Sequence, residues 1–497
     1  MSVPDECTQD RVGGSATVGT YSQPLGLDPV AGSGLSTGKS GGIEGAALYD
    51  TLTRWNDATS AYVPQLAQSI TANSDFTVWT LKLRPGVTYG NGKTMRSADV
   101  KFSIDRHVAP ESKATLKNVL LIIDRMELPD DLTVVFTLKQ GWSGFPYVLS
   151  GSPGMIADPA VVAARAADFT KNPAGAGAGP YEFTKFTPNE EIVLQAKTNY
   201  WGGPVCIQQL RFVTLAGAQP TFDAMTTGTL QIGFLADAEV SDAAKAKGYK
   251  GLSYILSASA SLMLNHRAGA PTADVKVRTA IQRALDPKVI MDRQFNGHGL
   301  PTTALVHPDL ALAPKVAGPT IDLAEAKRLV TEAKASGWNG KIRLLCNDPP
   351  DRQRAALAVE TLLTSIGMTV ETTIVTTNEL IARVITRKDF DTACWALNLS
   401  TDELYYSLST YDSKNTTTNY PGLQSPQMDE AVKKLLGAAT ADDKRTVLGE
   451  IQTIWTQTVP VVIWGGLESY IAFDASVHGL KKSARESFLF DKAYIKR

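Results

Sequence analysis

The side chains that could do chemistry are few, and their spacing argues against catalysis. Gly38-Lys39-Ser40 has the end of a phosphate-binding loop, but that loop needs a glycine where Ser33 stands. No apolar strand leads into it, so it reads as a solvated loop. The tract Gly175-Ala176-Gly177-Ala178-Gly179 lacks dinucleotide spacing and runs into Pro180, which has no N–H to offer a phosphate. Gly141-Trp142-Ser143-Gly144-Phe145 misses a nucleophile elbow, because Phe145 fills the last glycine position. The five histidines (His107, His266, His298, His307, His478) are scattered and form no HExxH, so they read as surface or capping residues. The paired acids Asp130-Asp131 and Asp402-Glu403 sit in turn contexts. No enzyme, metal site or cofactor is expected. Cys7, Cys206, Cys346 and Cys394 have no metal spacing, and the residues alone leave free thiols and disulfides both open.

The elements around these residues suggest a folded protein of several domains. The length is 497 residues, too long for one core. With 43% hydrophobic and 20% charged residues and a net charge of −1, nothing electrostatic favours nucleic acid or an anionic membrane. No apolar run approaches the ~18 residues of a spanning helix. The start MSVPDECTQDRVGG has no basic-then-apolar leader, so a cytoplasmic chain or a mature exported one is expected.

The N-terminal half is strand-rich and irregular. Ser15–Thr20 and Thr77–Leu83 read as strands, and Ser97–His107 as a helix capped by Ser97. Tyr181–Phe186 and Glu191–Lys197 form a hairpin that closes on Asn199-Tyr200-Trp201-Gly202-Gly203. The C-terminal third alternates helix and strand: strands Lys341–Cys346, Thr369–Ile374 and Asp391–Leu397 are separated by helices, then comes the apolar run Val459–Trp464. That alternation implies a parallel sheet with helices on its faces. In such a sheet, ligands gather beyond the carboxyl ends of the strands, here after Cys346 and Trp395.

Five stretches in order resemble one family. Trp79-Thr80-Leu81-Lys82-Leu83-Arg84-Pro85-Gly86-Val87 is followed by Asn91-Gly92-Lys93 and Ser97-Ala98-Asp99-Val100. Then come NPAGAGAGPYEF…TNYWGG over residues 172–203, Asp274-Val275-Lys276-Val277-Arg278 with Ala284-Leu285-Asp286-Pro287, and a closing helix Asp442–Thr458 before Pro460. The chain thus resembles the extracytoplasmic solute-binding proteins of ABC importers, family 5, the dipeptide- and oligopeptide-binding class. The resemblance implies an α/β fold of the type II periplasmic-binding-protein kind, two lobes joined by a hinge plus an extra domain. Domain I would be 1–46, 180–264 and 470–497, domain II 47–179 and domain III 265–469. Closure about crossings near Ala260–Arg267 and Gly465–Tyr470 would enclose the solute.

What the resemblance implies about function is a receptor, not an enzyme. It would capture a peptide or peptide-like solute outside the cell membrane and deliver it to a permease. It would act as a monomer, in the periplasm or lipid-anchored, without nucleic acid. In peptide binders of this class an Asp three residues after the Trp of this strand holds the peptide amino group; here that position is Asn398. Some dipeptide binders carry a carboxylate-binding Arg at the end of the earlier strand; here the nearest are Arg352 and Arg354. With both charge anchors altered, an uncharged oligosaccharide or aromatic metabolite is the alternative solute, and a hydrolase or transferase on a related scaffold a remote one. The candidate contacts are Trp395, Ala396, Asn398 and Asp402, the last able to substitute as the carboxylate. Tyr405, Tyr406, Tyr21 and Asn265 complete the set. Trp201 reads as a wedge under Gly202-Gly203 rather than a contact. In an exported protein Cys7 and Cys206 would pair, while Cys346 and Cys394 would be either a second bridge or two buried thiols.

Overall fold

The computed structural model describes residues 6–31, 35–415 and 417–496, so Ser33 and the first residues of the tail lie outside the described residues. The chain divides into two compact units, 1–254 with 469–497, and 255–468.

In the first unit, strand Ser15–Thr20 lies parallel to Gln209–Thr214 on one side and to Ile232–Leu235 on the other. Gln209–Thr214 pairs antiparallel with Glu191–Ala196, which closes the hairpin with Tyr181–Thr187. A separate antiparallel sheet runs in the order Ala67–Ala72, Val78–Leu83, Thr133–Leu138, Ile123–Asp130. The alternation of Trp79, Leu81 and Leu83 buries one face of its second strand. Helix Ser97–Val108 starts at Ser97 itself, so Ser97 is not its cap. The Ser97 hydroxyl instead donates to the Asp130 carbonyl, and the Asp99 carboxylate accepts from the Arg96 N–H at 3.0 Å.

The motifs that resembled catalytic loops have structural uses. Lys39 makes an ion pair with Glu486 at 2.8 Å, and the Gly38 N–H donates to the Arg485 carbonyl. The Gly179 N–H donates to the Leu48 carbonyl at the end of helix Gly42–Tyr49. A Cβ on Gly177 would stand 2.1 Å from that same carbonyl oxygen, which is why the tract is glycine-rich.

Asp50 follows this helix and ties the aromatic turn to it. It is 1% exposed and accepts from the Tyr200 hydroxyl at 2.7 Å, the Trp201 indole at 3.3 Å and the Thr51 N–H at 2.9 Å. The Arg84 guanidinium lies 4.7 Å from the Trp201 ring centre. Trp201 is therefore committed to the protein. Burial, with Asp491 nearby, pushes the Asp50 carboxyl up to about 7. Cys7 and Cys206 form a disulfide with a Cα–Cα distance of 5.6 Å, which fastens the tail beside this hairpin.

In the second unit, Thr369–Val375, Lys341–Asn347 and Thr392–Trp395 form a parallel trio, as the βα alternation implies. The strand after them is Lys250–Leu264, antiparallel to Thr392–Trp395. It is 15 residues long and, like Val461–Phe473, runs from one unit into the other. Only the ends of these two strands were readable in the sequence. Ser257-Ala258-Ser259-Ala260-Ser261 has weak strand propensity, and burial on both faces rather than alternation holds it in the sheet. One face is covered by helices Val275–Ala284 and Pro350–Ser365. The other is covered by Pro426–Lys434 and Ala441–Thr458, with Trp455 and Tyr411 packed at 4.6 Å.

Candidate functional site

The segment Trp395–Leu399 leaves the carboxyl end of its strand and is held along one side. Leu397 N–H donates to the Ala258 carbonyl at 3.0 Å, and Ser257 and Leu399 exchange two backbone hydrogen bonds, both 2.9 Å. The Ser261 hydroxyl donates to the Trp395 carbonyl at 3.0 Å. Asn398 is exposed and has φ of 53°, a left-handed conformation that asparagine tolerates better than most residues. The chain keeps its antiparallel course beside strand Lys250–Leu264 through this point, with Trp395 opposite Ser261 and Leu399 opposite Ser257, and leaves Asn398 exposed. Trp395 and Ala396 are half-buried. The Trp395 ring meets Tyr420 edge-on at 5.9 Å, and Tyr406 lies near enough to Tyr420 to help burial raise the Tyr420 hydroxyl.

Helix Leu404–Leu408 carries the next two candidates. Its cap is Glu403, not Asp402: the Glu403 carboxylate accepts from the Tyr406 N–H at 2.7 Å. The charge of Glu403 also opposes the effect of burial, which lowers the pKa of Lys444 on helix Ala441–Thr458. Tyr405 is half-buried against the core, and Tyr406 is 47% exposed. Asp402 is half-buried beside them. Tyr411 is core, and Asn415 is spent on its own loop, donating to Ser409 O and accepting from Thr418 N.

The structure brings Trp395, Ala396, Asn398, Asp402, Tyr405 and Tyr406 into one stretch of the second unit. It does not bring Asn265 there. The register pairs Ser261 with Trp395 and Leu264 with Thr392, so Asn265 lies past the opposite end of the strand. Roughly 10 Å of strand separates the two ends. Asn265 is 5% exposed, and its amide donates to Phe390 O and accepts from Arg267 N. It staples a loop, and its place in the candidate set is corrected on that ground. Tyr21 belongs to the first unit, where it is exposed and packs edge-on to Phe234 at 5.9 Å.

The two arginines differ. Arg354 donates to the Arg293 and Gln294 carbonyls and so caps helix Pro287–Gln294. Arg352 follows strand Lys341–Asn347. It forms an ion pair with Asp351 at 3.6 Å, and its buried Nη1 has no hydrogen-bond partner among the described residues. Burial lowers its pKa, and the Asp351 carboxylate acts against that fall.

Sequence reasoning missed His307. The Ser257 hydroxyl accepts from the His307 N–H at 2.8 Å, which sets this residue beside the Ser257–Leu399 pairing. Its Nδ1 accepts from the Asp309 N–H, and burial lowers its pKa. The expectation of surface histidines is corrected: His307 is 6% and His107 0% exposed, and burial pulls His107 down to about 4. Nothing in the sequence signals His307, because the contact joins residues 50 apart. Cys346 and Cys394 form the second disulfide, with a Cα–Cα distance of 4.9 Å. Among the described residues, no cluster of His, Cys, Asp and Glu could hold a metal, and no helix is long and apolar enough to cross a membrane.

Comparison with known proteins agrees with this architecture. Residues 61–419, most of the chain, match the model of bacterial extracellular solute-binding proteins, family 5. A protein named glutathione-binding protein GsiB, from Pectobacterium atrosepticum, is 24% identical over 78% of this chain and 77% of its own length. Other relatives of that name match over about half of their length, 52%. HbpA2 from Haemophilus parasuis superposes with a TM-score of 0.82 at 19% identity, covering 97% of this chain and 100% of its own. The oligopeptide-binding protein AppA from Bacillus subtilis, solved with a nonapeptide, superposes at 0.73 and 20% identity, over 98% and 100% of the two chains. The α/β fold is that of the type II periplasmic-binding proteins. The chain belongs to the bacterial extracellular solute-binding proteins of family 5.

Proposed function

We propose that this chain is the receptor of an ABC importer, not an enzyme, and that it binds a peptide-like solute at Trp395–Asn398 for delivery to a permease. The observation that carries the reading is the segment Trp395–Leu399: a fixed backbone that presents a half-buried indole and an exposed asparagine at the carboxyl end of a parallel strand. An indole offers an apolar platform, and an amide both donates and accepts in fixed directions. Relatives named for glutathione and a structural neighbour holding a nonapeptide support a peptide-like solute.

Asn398 brings no charge to an ammonium, and charge-assisted hydrogen bonds are about twice as strong as neutral ones. Ordinary dipeptides, which rely on their free amino group, are therefore expected to bind weakly. Arg352, with an unpartnered Nη1, is the cation best suited to a solute carboxylate in this region. Function outside the membrane, in the periplasm or on a lipid anchor, follows from the same reading.

The test is mass spectrometry of the small molecules released when the purified protein is denatured. A peptide or peptide conjugate supports the reading. A sugar or an aromatic metabolite replaces it with the uncharged alternative, and a converted product would point to an enzyme.

A further inference from the structure

On the reading that Trp395–Leu399 contacts the solute, we propose that Cys346 and Cys394 are a positioning pair whose cross-link supplies the restraint that segment lacks on one side. Toward strand Lys250–Leu264 the segment is fixed by the hydrogen bonds of Leu397 and Leu399 and by Ser261. Toward strand Lys341–Asn347 the paired residues are Leu344 with Thr392 and Leu345 with Ala393, and the register stops there. The next two residues in register are Cys346 and Cys394, and the bond between their sulfurs takes the place of the next rung. Trp395 follows immediately.

The position of the sulfurs matters. Cys346 is 0% and Cys394 2% exposed, and both lie in the apolar cluster with Ala280, Ala355 and Val359. Trp395 packs on the cluster of the opposite face. Side chains alternate between faces, so the cross-link holds the strand from below while the indole is offered above. Its burial shields it from dissolved thiols, so it acts as a permanent clamp rather than a redox switch. Closing a loop of 48 residues contributes about 4 kcal/mol in the chain-entropy model, yet its local effect falls on Trp395–Leu399. With the rung removed, the segment would open on its own at lower free energy than the unit that carries it.

The experiment is amide hydrogen exchange on the full chain without added solute. The Cys346→Ala/Cys394→Ala variant is compared with wild type and with Cys7→Ala/Cys206→Ala, which removes the other disulfide. The expected result is exchange of residues 395–399 faster by about tenfold or more in the first variant and unchanged in the second. Exchange within about twofold of wild type in a folded first variant, or equal acceleration in both variants, overturns the proposal. Cys346→Val/Cys394→Ala restores buried volume if the first variant does not fold, and failure of both to fold also overturns it, since the bond would then serve the fold and not the segment. Titration with glutathione gives the second readout, an affinity lowered by about tenfold in the folded variant. If glutathione does not bind wild type, the solute is a different one and the exchange result alone decides the clamp.

Discussion

Replacing Asp50 by Asn should remove a large part of the pH dependence of this protein's stability. The carboxyl is 1% exposed and its pKa is raised from 3.8 to about 7 by burial, with Asp491 adding repulsion. Hydrogen bonds from Tyr200, the Thr51 N–H and Gln65 act against that rise and do not cancel it. In the unfolded chain the group ionises near 3.8. Between those two values the folded state holds a proton that the unfolded state has lost. Stability from this group is therefore full below about pH 4, falls as pH rises and is gone above about pH 7, a change of about 4 kcal/mol. Glu44 on the preceding helix is also 1% exposed and has, among the described residues, no hydrogen-bond partner for either oxygen; burial raises it from 4.5 to about 7, so it adds a slope of the same sign. Urea unfolding followed by tryptophan fluorescence, from pH 4.5 to 8.5, measures the effect. The wild type should lose stability across this range, and Asp50→Asn should lose less, the difference approaching about 3 kcal/mol. Parallel curves for the two proteins would refute the burial argument, as would a wild type that gains stability with rising pH through this window.

Other substitutions test other parts of the account. Gly177→Ala forces a Cβ to 2.1 Å from the Leu48 carbonyl oxygen and should cost about 2 kcal/mol or more in unfolding free energy, measured by denaturant titration; no loss would mean the tract lies farther from helix Gly42–Tyr49. Removing Cys7 and Cys206 together releases a loop of 199 residues and should cost about 5 kcal/mol in the same assay. Glu403→Ala removes the cap from the Tyr406 N–H and should cost about 1 kcal/mol, with faster amide exchange confined to Leu404–Leu408. Asn398→Asp should strengthen binding of a plain dipeptide by about tenfold, read by calorimetry, because a carboxylate replaces a neutral amide before an ammonium.

The family and the parallel trio were legible because they depend on local pattern. Alternating Trp79, Leu81 and Leu83, the glycines beside Pro180 and the helix–strand rhythm after 320 all leave marks in neighbouring residues. The Trp395–Asn398 segment could be located the same way, as a strand end. Its supports could not. Ser257 and His307 are 50 residues apart, and the strand that brings them together is a run of serines and alanines. Asn265 shows the opposite failure. It sits near the segment on the strand pair's map, and only the antiparallel register reveals that it lies at the other end. Asp50 was unreadable for another reason, since its four partners are drawn from Thr51, Gln65, Tyr200 and Trp201.

Calorimetric titration of wild type and Trp395→Ala with the solute that mass spectrometry identifies tests the central claim most directly. The account predicts saturable one-site binding to wild type, weakened by about tenfold or more in the variant, with the solute recovered chemically unchanged. Equal affinity in the two proteins, or conversion of the solute, would contradict it.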